Sequence, residues 1–311
     1  MINDCAYVGE TILRFMSGDV EKVYVKRSRG FLSKTVGIAY KILRSRGDVY
    51  HVNYLLQDCY IASMFGKRPL IGHAHGSDLR VGLKHFLWKK IVRHNLKHCD
   101  KIFVSTPDIL ELAKTYREDV EYLPNPVDTQ LFYPKPSLNR GEKLKVLIAS
   151  NSDWDVKGTD TAIKALSRIK DRVDVSIVRY GKDFDKTVEL AKSLGLTLHI
   201  LEKTSHEKIR EYYWKTNVVV DQFKMGSLGM ISLEAIACGR PVITYVSSEY
   251  SEYRDFPLKD VNTEEEVVEA INNATFNLWK EQYGYLKKYH DPYKIADRVK
   301  KTYEALRNGA T

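Results

Sequence analysis

At 311 residues, 43% of them apolar, the chain is long enough for two globular domains whose ordinary cores need no disulfide staples. Its formal charge of +9 is lopsided: residues 1–136 hold 21 Lys and Arg against 14 Asp and Glu, while residues 137–311 hold 28 against 26. A basic first half suits an anionic membrane or a phosphate-bearing partner, and without a helix-turn-helix, RNP or zinc signature a nucleic-acid role is not expected. No run reaches the ~18–20 apolar residues of a membrane span, and MINDCAYVGE lacks the basic and apolar regions of a secretory signal. The four cysteines, Cys5, Cys59, Cys99 and Cys238, have neither C-x-x-C nor zinc spacing and read as free thiols of a reducing, cytoplasmic compartment.

Along the first half, strands are predicted at 20–26, 48–53, 69–75, 101–105 and 120–123, with amphipathic segments such as 33–44 and 84–98 between them. Only Met1 and Ile2 precede Asn3, so the opening strand is stubby or the native start lies upstream. Within LKHFLWKKIVRHNLKHCDK, residues 83–101, Leu83, Phe86, Leu87, Ile91 and Leu96 are expected to face a core. Lys84, Lys89, Lys90, Arg93 and Lys97 are expected to face water or an anionic surface.

PNPVDTQLFYPKPSLNRGEK, residues 124–143, holds four prolines and breaks both periodicities, which marks the boundary. Domains are expected at 1–136 and 137–290, with a C-terminal helix over 291–311 packing back on the first. The second half repeats the alternation, with strands at 144–150, 173–178, 197–201, 217–221 and 241–244 and helices at 159–169, 183–194, 205–215 and 229–238. Helices at 275–289 and 291–306 close the chain, and Thr263 with Glu266 forms a capping box. The fold class is therefore α/β with parallel sheets and βαβ crossovers, whose ligands bind beyond the carboxyl ends of the strands.

Two loops carry chemistry. In DQFKMGSLGMISLEAIACGRPVI, residues 221–243, a strand ends at Asp221. Gly226, Ser227 and Gly229 then let the backbone approach a ligand, and a helix opening at Met230 offers unpaired amides to a diphosphate. Glu234, one turn on, is placed to accept both hydroxyls of a ribose; the bland alternative is a tight loop before a buried helix. In ASNSDWDVKGTDTAIKAL, residues 149–166, Lys157 stands at a second strand-to-helix loop, where it can reach a phosphate or simply be solvated. Asp153 and Asp155 resemble a metal-binding D-x-D, but no metal is expected beside this K-G loop.

LEAIACGRPVI, Lys157-Gly158, PNPVD at 124–128, HGSD at 75–78 and TSHEKIREYYWKTNVVVDQ at 204–222 appear in one order over most of the chain. Together they resemble the family 4 retaining glycosyltransferases, also called group 1. The resemblance implies GT-B architecture, two Rossmann-like domains facing across a cleft, and sugar transfer from a UDP- or GDP-linked donor. The acceptor would be a hydroxyl on a glycan, a lipid-linked sugar or a small molecule; no further cofactor is implied. It implies that Lys157 and the amides of Gly229 and Met230, with Ser227, hold the diphosphate, and that Glu234 binds the ribose. Gly9, in the DCAYVGE loop, would approach donor and acceptor. His75 would touch the transferred sugar, with Asp78 orienting the loop or binding acceptor; His73 would pack in its strand and His206 would decorate a helix start.

The chain departs from that pattern twice. The first glutamate of E-x7-E is replaced by Gly226, and the arginine before the K-G step is absent, leaving Arg179 in SIVRYGKDF to supply a positive charge. Charge-assisted contacts are each worth ~1.5–3 kcal/mol, so two losses would slow transfer a hundredfold or more. Two rival readings stay open: a degenerate member that binds nucleotide or serves as a partner subunit, and a nucleotide-sugar epimerase.

Overall fold

The computed structural model describes residues 1–4, 6–18, 20–27, 36–136 and 141–309. Cys5, the first residues of the segment at 33–44, and residues 137–140 of the boundary lie outside these. The elements in chain order are α1 (Val8–Phe15), α2 (Ile38–Arg44), β1 (Tyr50–Asn53), α3 (Gln57–Met64), β2 (Leu70–Ala74), α4 (Ser77–Arg80), α5 (Phe86–His98), β3 (Lys101–Val104), α6 (Leu110–Lys114) and β4 (Glu121–Tyr122). There follow β5 (Leu144–Ile148), α7 (Thr159–Ser167), β6 (Val173–Val178), α8 (Phe184–Ser193), β7 (Leu198–Leu201), α9 (Ile209–Trp214), β8 (Val218–Val220), α10 (Met230–Ala237), β9 (Val242–Ile243), α11 (Glu264–Asn272), α12 (Phe276–Tyr289) and α13 (Pro292–Arg307). The chain divides into a first unit, Met1–Pro126 with His290–Thr311, and a second, Val127–Tyr289.

In the first unit β1-β2-β3-β4 form a parallel sheet, and Ile2 adds parallel bridges to Val52 on one side and Val25 on the other. The strand expected at 20–26 is thus reduced to one bridge at Val25. Helix α1 was not anticipated. Its first turn is fixed by Asp4, whose Oδ1 accepts from the Gly9 amide at 2.8 Å and whose Oδ2 accepts from the Glu10 amide at 3.2 Å. Gly9 therefore sits in a helix, not in a loop.

Helix α5 corrects a second expectation. Its buried stripe is Val92, Asn95 and Leu96, with Asn95 Nδ2 donating to the carbonyls of Leu55 and Leu56 at 3.0 Å. Phe86 and Leu87 fall off that stripe and stand 74% and 63% exposed, with the Lys90 ammonium 5.0 Å from the Phe86 ring centre.

The second unit's sheet has the order β7-β6-β5-β8-β9, all parallel. Successive residues of β5 enter opposite cores: Val146 and Ile148 pack on one face, Leu147 and Ala149 on the other. Covering both faces favours continuous apolar runs, which the central strands show at 146–148 and Val218–Val220, while β7 at the sheet's edge is partly exposed. The chain winds outward from β5 to β7 and then returns to place β8 on the other side of β5, so the topological switch lies between β5 and β8.

The division falls after Pro126, ten residues before the boundary expected at 136/137. Val127 and Phe132 pack in the second unit's core. Arg240, fully buried, then ties down the proline segment: its guanidinium donates to the carbonyls of Lys135 at 3.2 Å and Pro136 at 3.1 Å, as well as to Tyr213, Trp214 and Gly239. A buried guanidinium must satisfy its donors this way, which makes residues 133–136 part of the second unit. The chain from His290 onward groups with the first unit, where His290 Nδ1 meets the Asn125 carbonyl at 2.8 Å and Tyr303 of α13 meets His51 Nδ1 at 2.8 Å.

Candidate functional site

Both chemically promising loops of the second unit leave the sheet at its switch point. The K-G loop follows β5 and the Gly226–Gly229 loop follows β8. They are joined directly, since the Phe223 amide donates to the Lys157 carbonyl at 2.8 Å. A Cβ built on Gly229 would stand 3.8 Å from Lys157 Nζ and 3.0 Å from Asp221 Oδ2, so lysine, glycine and helix start converge. Gly229 is the N-cap of α10 and brings no side chain to its amides, whereas Thr263 and Asp291 cap α11 and α13. Uncapped amides at a positive dipole end beside an ammonium make an anion site. Asp221 Oδ2 accepts from Ser232 Oγ at 2.6 Å, while its buried Oδ1 has no partner.

Gln222 organises this loop, a role the sequence did not suggest. It is fully buried; its Nε2 donates to the Ser227 and Tyr245 carbonyls at 2.8 and 2.9 Å, and its Oε1 accepts from the Lys224 and Met225 amides. The resulting turn puts Gly226 at φ +63°, where a Cβ would approach Ser247 Cβ to 3.0 Å and the Tyr245 ring to 3.3 Å. A glutamate there would be both strained and crowded, which accounts for the missing carboxylate.

Glu234 lies on the second turn of α10, after Met230 at its first position, and is 3% exposed. Both of its oxygens are engaged: Oε1 accepts from His206 Nε2 at 2.8 Å and Oε2 from the Tyr213 hydroxyl at 3.0 Å. Burial, and secondarily the Glu234 charge, push the Tyr213 hydroxyl well above its ordinary pKa, and the Cys238 thiol beside them is pushed up to about 12 for the same reasons. His206 was expected only to decorate a helix start.

Arg179 makes its contacts elsewhere: its Nε donates to Glu202 Oε1 at 3.2 Å and its guanidinium lies 5.5 Å from the Phe184 ring centre. Asp153 Oδ1 accepts from the Asp155 and Val156 amides of its own turn, and Lys182 pairs with both aspartates. Among the described residues no group of three His, Cys, Asp or Glu is placed to hold a metal ion.

The first unit's edge is built differently. Asp78 is fully buried and all its acceptor capacity faces backbone: Oδ1 takes amides of His75, Gly76 and Leu79 at 3.2, 2.9 and 3.2 Å, and Oδ2 takes Leu55 at 2.9 Å. Desolvation raises its pKa against the pull of these amides. Asp78 is therefore a positioning group for the His75–Gly76 turn with no oxygen free for an acceptor. Asn53 at the end of β1 is the link that the sequence did not reveal. Its Nδ2 donates to the Asn3 carbonyl at 3.0 Å and lies 2.7 Å from where a Cβ on Gly9 would be, and its Oδ1 faces His75 Nε2 at 2.8 Å. Since that oxygen only accepts, Nε2 carries the proton and His75 Nδ1, buried and unpartnered, presents a lone pair.

His73, fully buried in β2, lies tilted against His75 at 4.2 Å between ring centres, and its Nδ1 meets His51 Nε2 at 3.3 Å. Burial, with mutual repulsion, holds His51 and His75 well below the ordinary histidine pKa; burial alone takes His73 to about 3. Four of the five described non-glycine residues with positive φ, Asn3, Ala6, Tyr7 and Tyr54, sit at this same edge. The first unit also contains a cavity of about 600 Å³ between Val20–Val25, Asp48–Tyr50 and α13, away from His75 and Asp78.

The chain matches known proteins in both units. Residues 133–275 match the family described as glycosyl transferases group 1, and residues 20–131 match glycosyltransferase family 4. It is 24% identical to N-acetyl-alpha-D-glucosaminyl L-malate synthase of Bacillus anthracis, over 64% of this chain and 57% of that protein, so it spans little more than half that relative's length. Among solved structures, sucrose-phosphate synthase of Thermosynechococcus elongatus superposes with a TM-score of 0.70 at 18% identity, covering 93% of this chain and 86% of that one. Anabaena Alr3699/HepE in complex with UDP-glucose gives 0.71 at 16% identity, covering 91% and 86%. At such identities the likeness establishes the fold, which is GT-B.

Proposed function

This chain belongs to the group 1, family 4 glycosyltransferases, and from that premise we propose that it moves a sugar from a nucleoside-diphosphate donor to a hydroxyl-bearing acceptor. The observation that carries the proposal is the convergence of Lys157 with the uncapped start of α10 at the β5/β8 switch point. As the bond from the anomeric carbon to the diphosphate oxygen breaks, negative charge grows on the leaving diphosphate. The ammonium and the amides of Gly229 and Met230 stabilise it from positions already fixed by the fold. Those groups supply the positive charge from the chain itself, which favours a metal-independent reaction.

Ser227 shapes the loop, Glu234 receives the ribose hydroxyls, and a UDP-linked donor is the first choice because the HepE structures hold UDP and UDP-glucose. No carboxylate is offered as a nucleophile, so retention would come from same-face attack, with the departing phosphate taking the acceptor's proton. For the first unit, we assign His75 Nδ1 to recognition of a sugar hydroxyl, which would donate to its lone pair.

Gly226 favours one alternative, nucleotide binding without transfer. Incubating the protein with UDP- and GDP-sugars, with and without glycan or lipid-linked acceptors, separates these readings. Acceptor-dependent nucleotide release is expected; binding with no turnover would support the degenerate member, and acceptor-free conversion of the sugar an epimerase.

We also propose that the acceptor is met at an anionic membrane surface. Val81, Phe86 and Leu87 are exposed beside Lys84, Lys89, Lys90 and Arg93, an apolar wedge in a basic frame. Among the described residues no helix is long and apolar enough to cross a membrane. Flotation should recover the protein with anionic vesicles and not neutral ones, and Leu87→Glu should reduce it; equal recovery on both would remove the electrostatic argument.

A further inference from the structure

Glu234 poses a problem for any ligand that needs it, because His206 and Tyr213 already occupy its two oxygens. The two partners differ. Tyr213 is fully buried on α9, packed with Phe132 and in the core beneath α10, and has no way out. His206 stands on the turn before α9, edge-on to Phe132 at 5.0 Å, and its side chain is 15% exposed against 4% for Glu234. Of the three, His206 is the one that a solute coming from water meets first.

We propose that His206 is a displaceable occupant of the ribose subsite. This rests on the reading of Glu234 as the ribose acceptor and adds a gate to it. With no nucleotide bound, the imidazole, a five-membered ring presenting N–H to a carboxylate at 2.8 Å, stands in for a ribose presenting O–H. It keeps the buried carboxylate paired and aimed, which an empty subsite would not do. A nucleotide displaces it by donating its own ribose hydroxyls to Oε1, while Tyr213 goes on donating to Oε2. A ligand without those hydroxyls leaves the imidazole where it is, so His206 sets a displacement cost on ribonucleotides and none on bare pyrophosphate.

The test is calorimetric titration of UDP, GDP and pyrophosphate into the full chain as wild type, His206→Ala and Glu234→Gln. His206→Ala is expected to bind the preferred nucleoside diphosphate about tenfold more tightly and pyrophosphate unchanged. Glu234→Gln is expected to weaken the nucleotide about tenfold and leave pyrophosphate alone. If Glu234→Gln weakens the nucleotide but His206→Ala binds it no tighter than wild type, the gate is wrong and the ribose reading stands. If Glu234→Gln binds as wild type does, or neither nucleotide binds at all, the ribose reading fails and takes the gate with it. In the wild type, independent of any variant's folding, the His206 imidazole resonances should shift on adding nucleotide and not on adding pyrophosphate; unmoved resonances at saturating nucleotide would overturn the proposal.

Discussion

The carboxyl edge of the first unit's sheet and that of the second follow the same topological rule but use their polar groups in opposite ways. In the first, Asp78 is surrounded by backbone amides, Asn53 links Asn3 to His75, and His51, His73 and His75 lie against one another as neutral rings. In the second, glycine opens the loop, the amides of α10 have no side-chain cap, and Lys157 stands nearby. The first edge spends most of its polar groups on its own backbone and side chains, with His75 Nδ1 and His73 Nε2 left over; the second offers its groups to an anion.

Acid should separate the two units most. His51, His73, His75 and His290 all belong to the first unit and all have pKa values lowered by burial, to about 3 for His73 and about 4 for His290. Their unfolded pKa is about 6.5, so below it the unfolded chain binds protons that the folded one does not. Their stabilisation is complete above that value and is lost as the pH falls toward the folded values, at about 1.4 kcal/mol per pH unit for each such histidine. Asp78, raised rather than lowered, works in the opposite direction nearer the carboxylate range. Hydrogen exchange between pH 7 and 4.5 should show β1 and β2 losing protection before β5 and β8; simultaneous loss would refute the contrast.

Next in size is Asp78→Ala, which strands the amides of Leu55, His75 and Gly76 in a buried turn. At roughly 1–3 kcal/mol per unsatisfied group, a loss of about 3 kcal/mol in the first unit's denaturant stability is expected, with nucleotide affinity unchanged. An equal loss of nucleotide affinity would mean that the edges do not divide their roles as stated. Lys157→Ala should do the reverse: melting temperature kept, kcat/KM lowered about a hundredfold, or ~2.7 kcal/mol of transition-state stabilisation. The smallest effect is expected of Gly226→Ala, about 1–2 kcal/mol of stability from the left-handed backbone alone. Gly226→Glu should fail to raise activity; an active, stable Gly226→Glu would show that the loop has room for the missing carboxylate.

The alternation of strands and helices in the second half was legible because its strands are short β-branched or apolar runs, buried throughout in β8 and β9, and because Lys157, Gly229 and Glu234 stand at loop and helix positions that the chain order alone locates. The first unit was harder to read. The helix at 8–15 shows only a short stripe of Val8, Ile12 and Phe15 at helical spacing, and its start is fixed from outside by Asp4, which accepts from the Gly9 and Glu10 amides. Phe86 and Leu87 look like core on a helical wheel, and only the packing of Val92, Asn95 and Leu96 shows which stripe is covered. Asn53, Gln222, His206 and Arg240 act through partners up to 105 residues away, and no spacing rule in one sequence connects them. Arg179 likewise has a partner that no spacing rule marks, Glu202 just past the end of β7.

The central claim is that the edge between β5 and β8 holds a nucleoside diphosphate by its pyrophosphate. The direct measurement is a crystal structure grown with UDP or GDP. Phosphate oxygens are expected within hydrogen-bonding distance of the Gly229 or Met230 amide and of Lys157 Nζ. A nucleotide found elsewhere on the chain, with the start of α10 and Lys157 untouched, would contradict it.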